Sequence, residues 1–518
     1  MSEGKTQIVL AAEPTENEQS SLRRVSDHIP LATWLIMLFA GVERFSYTAF
    51  TAPLQNYIQN PHSEALRPGA LGRGQSVAYA LNCFLNVLSY LSPLLAATFA
   101  DGSIGQFWTI SCSAAVYVAG LLVVFITSVP SLSGHDAGLA GLICALVLVG
   151  VGIGGIKSSV SPMMVDQLHE SVTRTAKTKD GETVIIDREM TIRRVYSFYY
   201  WVINLGGLLG MLTTVIEKKY GFWAAFLLPL CTLSTGLGGF ILGRKFYVQP
   251  RREKGMVPKL FLALWLAIRG KCKLDDARAS HQLSAHGRVV HWDDEFIANI
   301  RKAVHACRVA LVYPIVWLCF SQNQTNLVSQ AADMKTYGIP NDILAMLNPI
   351  FVLVTVPVLN KVVYPLMSRI GCPLRPTARM AIGFFITAAS MAVAAGVEEM
   401  VYRAPPCYRH PQKCPAVVAD AQPNDVSVAL QVPVYFLGAV GEVFFSVSGS
   451  EFAYNQAPAG MKSIVQAIFA STNAGSAVLG LALSPAARDP NMVIMFATFA
   501  GVMFAASVIF TAFFWKVG

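Results

Sequence analysis

Charge is scarce in this chain. Of 518 residues only 14% are Asp, Glu, Lys or Arg, against 54% hydrophobic. Mean hydropathy is +0.48. Length alone would suggest about three soluble domains, but so little charge excludes that reading. Metal-ligand spacing is absent, as is a nucleophile elbow, so the sequence does not read as an enzyme and no cofactor is expected. The first residues lack the apolar core of a cleavable signal. Residues 1–28, polar and mixed in charge, read instead as a disordered cytoplasmic tail. Cysteine is sparse in polar segments. Most of the ten cysteines lie in apolar runs, where the thiol acts as a small hydrophobe. Cys407 and Cys414, in CYRHPQKC, are the exception and can pair if their loop faces an oxidising compartment. The net charge of +9 does not call for nucleic acid, because basic residues collect in the cytoplasmic loops of membrane proteins.

What the chain does have is a series of apolar runs of about 20 residues, each able to cross a hydrocarbon core of ~30 Å. The runs are continuous rather than alternating, so the spans are helices and not barrel strands. The fold class is an all-α polytopic membrane protein of about twelve transmembrane helices. They begin near Leu31, Gln75, Phe107, Ala137, Ser197, Phe222, Ala310, Ala345, Ala378, Val428, Ile464 and Met492. Six precede Gln249 and six follow Arg308, giving two six-helix bundles, 29–248 and 309–518. Between them, 249–308 is a polar, basic linker. Its stretch VPKLFLALWLAIRG is too short to span and is expected to lie along the inner membrane surface as a lateral amphipathic helix. Basic residues concentrate in the linker and in the loop 167–194, which puts both termini in the cytoplasm.

Two motif matches lead nowhere. Gly150, Gly152 and Gly155 satisfy GxGxxG but lie in a span with no strand before them, so they read as close helix packing rather than a dinucleotide cradle. Asn323-Gln-Thr325 matches a glycosylation acceptor but falls inside an expected span.

Buried charge is the functional signal. An ionised side chain at mid-membrane costs about 2.5–3.5 kcal/mol even on lenient scales, and such residues mark substrate or ion pathways. The set is Glu43 and Arg44 in the first span, Lys157 in the fourth, and Glu442 and Glu451 in the tenth. The last two are nine residues apart, about 900° of helix, so both cannot line one cavity. One of the two is expected in the cavity and the other in a structural role.

Several segments together resemble the proton-dependent oligopeptide transporter (POT) family of the major facilitator superfamily, most like its fungal members. VERFSY from Val42 resembles the end of ExxERFxYY. ADGSIGQFWTI, GIGGIKSSVSPMMVDQ, FYYWVINLGGLLG, SQNQTNLVSQA and NPIFVLVTVPVLNKVVYP follow in order, and GEVFFSVSGSEFAYNQAPAGMKS from Gly441 is the closest match. The resemblance implies alternating-access symport of di- and tripeptides with protons by a monomer. It implies that Arg44 and Lys157 meet the peptide carboxylate and Glu451 its amino terminus. Tyr47, Tyr90 and Asn204 would line the first bundle, and Trp317 and Asn348 the second. Glu43 and Glu451 are then the proton-coupling candidates. The plasma membrane is the expected location, a vacuolar or secretory membrane the alternative. One departure matters. Ala40 stands where the motif has its first glutamate, and Thr48 replaces a tyrosine. A POT-like carrier of another acidic or modified-peptide solute, with altered proton coupling, is therefore the second reading. A non-transporting peptide sensor is the third.

Overall fold

The computed structural model describes residues 24–514 apart from short stretches, chiefly 63–66, 131–135, 169–173, 178–182, 249–261, 270–273, 415–422 and 457–461. Most of the expected tail, and Lys259 of the expected lateral helix, lie outside the described residues.

The first half contains α1 (Leu31–Thr51), α2 (Leu54–Gln59), α3 (Gln75–Gly102), α4 (Gln106–Thr127), α5 (Asp136–Asp166), α6 (Arg188–Gly210), α7 (Thr213–Tyr220) and α8 (Phe222–Leu242). The linker contributes α9 (Ala279–His286) and α10 (Asp294–Ala306). The second half has α11 (Tyr313–Ser321), α12 (Asn326–Ala332), α13 (Leu347–Val358), α14 (Tyr364–Arg369), α15 (Pro376–Arg403), α16 (Val432–Glu442), α17 (Ser448–Gln456), α18 (Lys462–Leu483) and α19 (Met492–Phe514). Among the described residues nine helices are long and apolar enough to cross a membrane. Of the other expected spans, the first carries Glu43 and Arg44. The seventh is broken by a 3-10 turn at Gln322–Gln324. The eleventh begins among residues whose side chains are not described.

Small residues let the helices approach closely. A Cβ on Gly152 would lie 2.7 Å from the Ser113 carbonyl oxygen, and one on Gly150 would lie 2.6 Å from Leu88 Cβ. The GxGxxG run is therefore a packing surface between α5 and its neighbours α3 and α4. Gly206 and Gly210 of α6 press in the same way on the α1 backbone at Gly41 and Phe45. Asn323 is buried, 4% exposed, as expected of an acceptor motif inside a span.

The sheet is an addition to the expected all-helical fold. β2 (Arg174–Lys177) and β3 (Thr183–Ile186) form a hairpin, and β1 (Arg24–Val25) pairs in parallel with β3, Val25 opposite Ile186. Residues 24–28 therefore do not belong to a disordered tail. The run Thr-Val-Ile-Ile favours a strand, and Val184 and Ile185 are fully buried. The Asp27 N–H donates to Thr191 Oγ1 at 2.8 Å, tying the tail to the start of α6.

The linker is not a loose surface segment either. Ala263, Leu266, Ala267, Trp292, Ile297 and Ile300 are buried in the same hydrophobic cluster as the cores of α11, α15 and α19. Leu262 and Trp265 point outward, with Arg269 stacked 4.8 Å from the Trp265 ring centroid. The amphipathic pattern is thus satisfied against protein on one face.

The two halves meet at the end that carries the Cys407–Cys414 disulfide, whose Cα atoms are 5.3 Å apart. Here the seam is polar. Gln55 Nε2 donates to Ser329 Oγ at 3.1 Å, Asn56 and Asn341 exchange amide hydrogen bonds of 3.0 and 2.9 Å, and Gln75 donates to Asn326 at 3.0 Å. Tyr79, on α3, accepts from Gln322 at 3.1 Å. Arg67 pairs with Asp333 at 2.6 Å, and both side chains are almost wholly buried. Arg67 also donates to the carbonyls of Ala332 and Pro411, each at 3.2 Å. Breaking one partner of a buried pair costs about 3–5 kcal/mol. Arg67→Ala is therefore expected to speed hydrogen exchange at the amides of α12 at least a hundredfold. Unchanged exchange there would show that this pair does not hold the seam.

Candidate functional site

α1 brings Glu43, Arg44 and Tyr47 onto adjoining faces one turn apart. Its close crossing with glycines of α6 sets their position, with Gly207 in van der Waals reach of the Arg44 side chain. Lys157, on α5, has its ammonium 5.4 Å from the Tyr47 ring centroid and 4.6 Å from that of Tyr90 on α3. The Arg44 guanidinium lies 5.8 Å from the Tyr47 ring. Arg44 and Lys157 are exposed to the space between the halves, whereas Glu43 is buried and within electrostatic reach of both cations. Four expected residues, together with Glu43, thus form one cluster: two cations, two phenol rings and a buried counter-charge. The rings hold the cations through their π faces while leaving the charged heads free for an anion.

Ala40 is buried in the hydrophobic cluster of the first half, 3% exposed. Thr48, 8% exposed, faces Gly207 and Gly210 of α6. The lost phenol at that position is therefore exchanged at a helix contact.

In the second half the two glutamates sit in different surroundings. Glu442 Oε2 accepts from Asn348 Nδ2 at 2.9 Å. It lies within electrostatic reach of Arg44 and of Tyr200 across the gap between the halves. Glu451 lies instead in a pair with Arg379, 3.6 Å apart and partly exposed, with Arg379 stacked 4.1 Å from the Tyr364 ring centroid. The reason is depth and register. Nine residues advance the helix by ~13 Å toward the linker end, and a π-helical segment, Val443–Val447, breaks the simple angular count between the two. Such bulges are frequent at functional sites. A signal for Glu442 was present in the sequence: it is mid-span, whereas Glu451 is followed within a few residues by the polar NQAPAG.

Asn348 is 7% exposed, with Oδ1 buried and unpartnered. Trp317 stacks edge-on to Phe445 and Phe320 at 5.2 and 5.6 Å, its Nε1 also without an acceptor. Asn204 donates to the Tyr200 carbonyl one turn back at 2.7 Å. Tyr200 was not anticipated, although the FYxxIN run contains it.

Two packed helical halves, a polar seam at one end and charges of both signs facing each other between them define a multi-pass membrane transporter fold. A family model described as PTR2, POT family, matches residues 107–500. The chain belongs to the POT family. It is 39% identical over 499 residues to the peptide transporter PTR_C of Candidozyma auris, covering 96% of this chain and 86% of that one. It is 35% identical over 497 residues to the peptide transporter PTR2 of Saccharomyces cerevisiae, covering 96% and 81%. Among solved structures it resembles an auto-inhibited POT family peptide transporter, TM-score 0.73 at 21% identity, covering 94% of this chain and 98% of that one.

Asn348→Leu removes the donor to Glu442 and leaves a buried carboxyl without its hydrogen bond. The expected loss is about 1–3 kcal/mol, read as a lower melting temperature of the purified protein. Asn348→Leu combined with Glu442→Leu should recover part of that loss. No recovery would mean that the two side chains are not energetically coupled.

Proposed function

We propose that this protein carries di- and tripeptides across a membrane by alternating access, using a zwitterion site split between its halves. The observation that carries the reading is the placement of Arg44 and Lys157 on one side of the gap and Glu442 with Asn348 on the other. A peptide needs a cationic site and an anionic site about one peptide length apart. Arginine offers a fork for the carboxylate, Glu442 an acceptor for the ammonium, and Tyr47, Tyr90 and Trp317 apolar walls that tolerate varied side chains. The peptide-transporter names of the full-length relatives support the substrate class. Proton coupling passes through Glu43 or Glu442, since Ala40 cannot titrate. Glu451 is reassigned to an ion pair at the linker end. Both termini and the linker are assigned to the cytoplasm and the disulfide end to the outside of a plasma membrane, by the basic-residue bias.

A second reading rests on Ala40. With only Glu43 beside Arg44 and Lys157, the first-half site has a surplus of positive charge, which suits a more acidic solute.

Proteoliposomes with an inward-acid gradient, given a labelled dialanine-type peptide, test both readings. Gradient-driven uptake is expected for the native protein. Uptake only down the peptide's own gradient, with coupling gained by Ala40→Glu, would limit the reading to an uncoupled carrier. No peptide movement by either folded protein would favour the acidic-solute reading. In the same assay Glu442→Gln should raise KM about tenfold or more, as for loss of a charged hydrogen bond worth ~1.5–3 kcal/mol. Glu451→Gln should change it less than about threefold, because partly exposed pairs contribute little. The reverse order would restore Glu451 to the site.

A further inference from the structure

In the first half, α1 and α8 lie side by side but do not close along their whole length. They touch at Gly236, where a Cβ would lie 2.7 Å from Val42 Cγ1. They touch again at Gly243, where a Cβ would lie 3.6 Å from Leu35 Cδ1 and 2.6 Å from the Tyr247 hydroxyl. Between these points, at Gly239, a Cβ would meet nothing within 4 Å. The space left open is a groove of about 480 Å³, and no residue of the substrate cluster lines it.

The groove is apolar. Its floor includes the rings of Phe39 and Phe240, with centroids 4.7 Å apart. Its threonines are already bonded: Thr232 Oγ1 to Ser46 Oγ at 3.0 Å, and Thr235 Oγ1 to the Cys231 carbonyl at 2.8 Å. A polar solute would lose hydration there and gain nothing, whereas a hydrocarbon chain loses nothing. Leu38 and Leu242 beside it are exposed, as on a surface that meets lipid. From Cys231 to Phe240 the lining stretch of α8 rises about 14 Å. That is close to the ~15 Å depth of one leaflet's hydrocarbon.

One end of the groove is positively charged. Arg244 and Lys245 lie in the 3-10 turn Gly243–Phe246 that ends α8, and both are exposed. Among the described residues neither is paired with a carboxylate. The Arg244 guanidinium is stacked 5.7 and 5.2 Å from the ring centroids of Phe107 and Trp108. Phe107 stacks in turn on Phe240 of the groove floor at 5.3 Å, so one shared ring links the cation to that floor. The chain just beyond the turn is pinned to Gln167, which accepts from the Val248 N–H at 2.8 Å and donates to its carbonyl at 3.0 Å. A headgroup with a net negative charge suits two unpaired cations. A zwitterionic one brings a cation of its own.

We propose that the groove between α1 and α8 binds one anionic phospholipid, its acyl chain laid along Gly239 and its phosphate at Arg244 and Lys245. The site goes beyond the transport reading and takes from it only the membrane-spanning fold. Each cation at such a site contributes about fivefold in affinity.

Native mass spectrometry of the full-length protein tests it. The protein is stripped of lipid in detergent and titrated with dioleoylphosphatidylserine or dioleoylphosphatidylcholine. One phosphatidylserine is expected to bind at least tenfold more tightly than phosphatidylcholine. Gly239→Leu fills the groove where nothing opposes a side chain, and in a helix leucine is favoured over glycine. It should keep the melting temperature and abolish the preference. Arg244→Gln and Lys245→Gln should each weaken phosphatidylserine about fivefold and leave phosphatidylcholine unchanged. Equal affinity of the native protein for the two lipids would overturn the proposal and leave ordinary boundary lipid. So would a preference that Gly239→Leu retains, or one that both charge variants retain. Tighter binding of ergosterol than of phosphatidylserine, insensitive to the charge variants, would give the groove to a sterol instead. Peptide uptake is not the readout, so failure of the substrate reading leaves this site standing, and the reverse.

Discussion

At the disulfide end the seam between the two halves is rich in amides, hydroxyls and a buried ion pair, beside an apolar contact in which Tyr79 and Cys83 of α3 join the hydrophobic cluster of the second half. An apolar seam of similar area would be held by a hydrophobic term that no solute-binding event could easily reverse. Hydrogen bonds that are nearly as well satisfied by water contribute only about 0.5–1.5 kcal/mol net each. Gln55, Asn56, Gln75, Ser329 and Asn341 can therefore seal one end firmly and still be exchanged for water when the halves part. Arg67 and Asp333 are the costly exception, a buried pair whose rupture must be offset by hydration of both partners.

The charges between the halves follow the same logic from the opposite side. Arg44 and Lys157 remain exposed to the gap because nothing neutralises them fully; Glu43 is the nearby acid and is shared by two cations. The aromatic faces of Tyr47 and Tyr90 hold the ammonium of Lys157 without satisfying its hydrogen-bond donors. Across the gap, Glu442 is oriented by Asn348 and keeps capacity to accept more. Charges of opposite sign are thus divided between the two halves.

Most of this was legible in the sequence because burying charge in a membrane is costly enough to leave few candidates. Arg44 and Lys157 stand out by depth, whereas Tyr47, Tyr90 and Asn348 follow only from the resemblance to the family. The angular count between Glu442 and Glu451 does not hold in the fold, because a π-helical segment lies between them. The β1 pairing was invisible, since a two-residue strand leaves no periodic signal. The burial of Glu217, on α7, and of Asp342, just before α13, has no signal in the sequence, because each lies beside a turn, where an acid ordinarily reaches water. Only the apposition of the two halves buries them, and no single-helix pattern encodes that. The linker's docking on the second half was likewise hidden, because an amphipathic face reads the same whether it covers lipid or protein.

The linker's attachment has a mechanical consequence. The hydrophobic cluster of the first half extends to Tyr247, and the linker residues from Ala263 onward join that of the second. The linker's helices are cargo of the second half, and the geometry of rocking is left to the seam and the helix crossings alone. In mechanical terms the protein is two bodies that happen to share a chain.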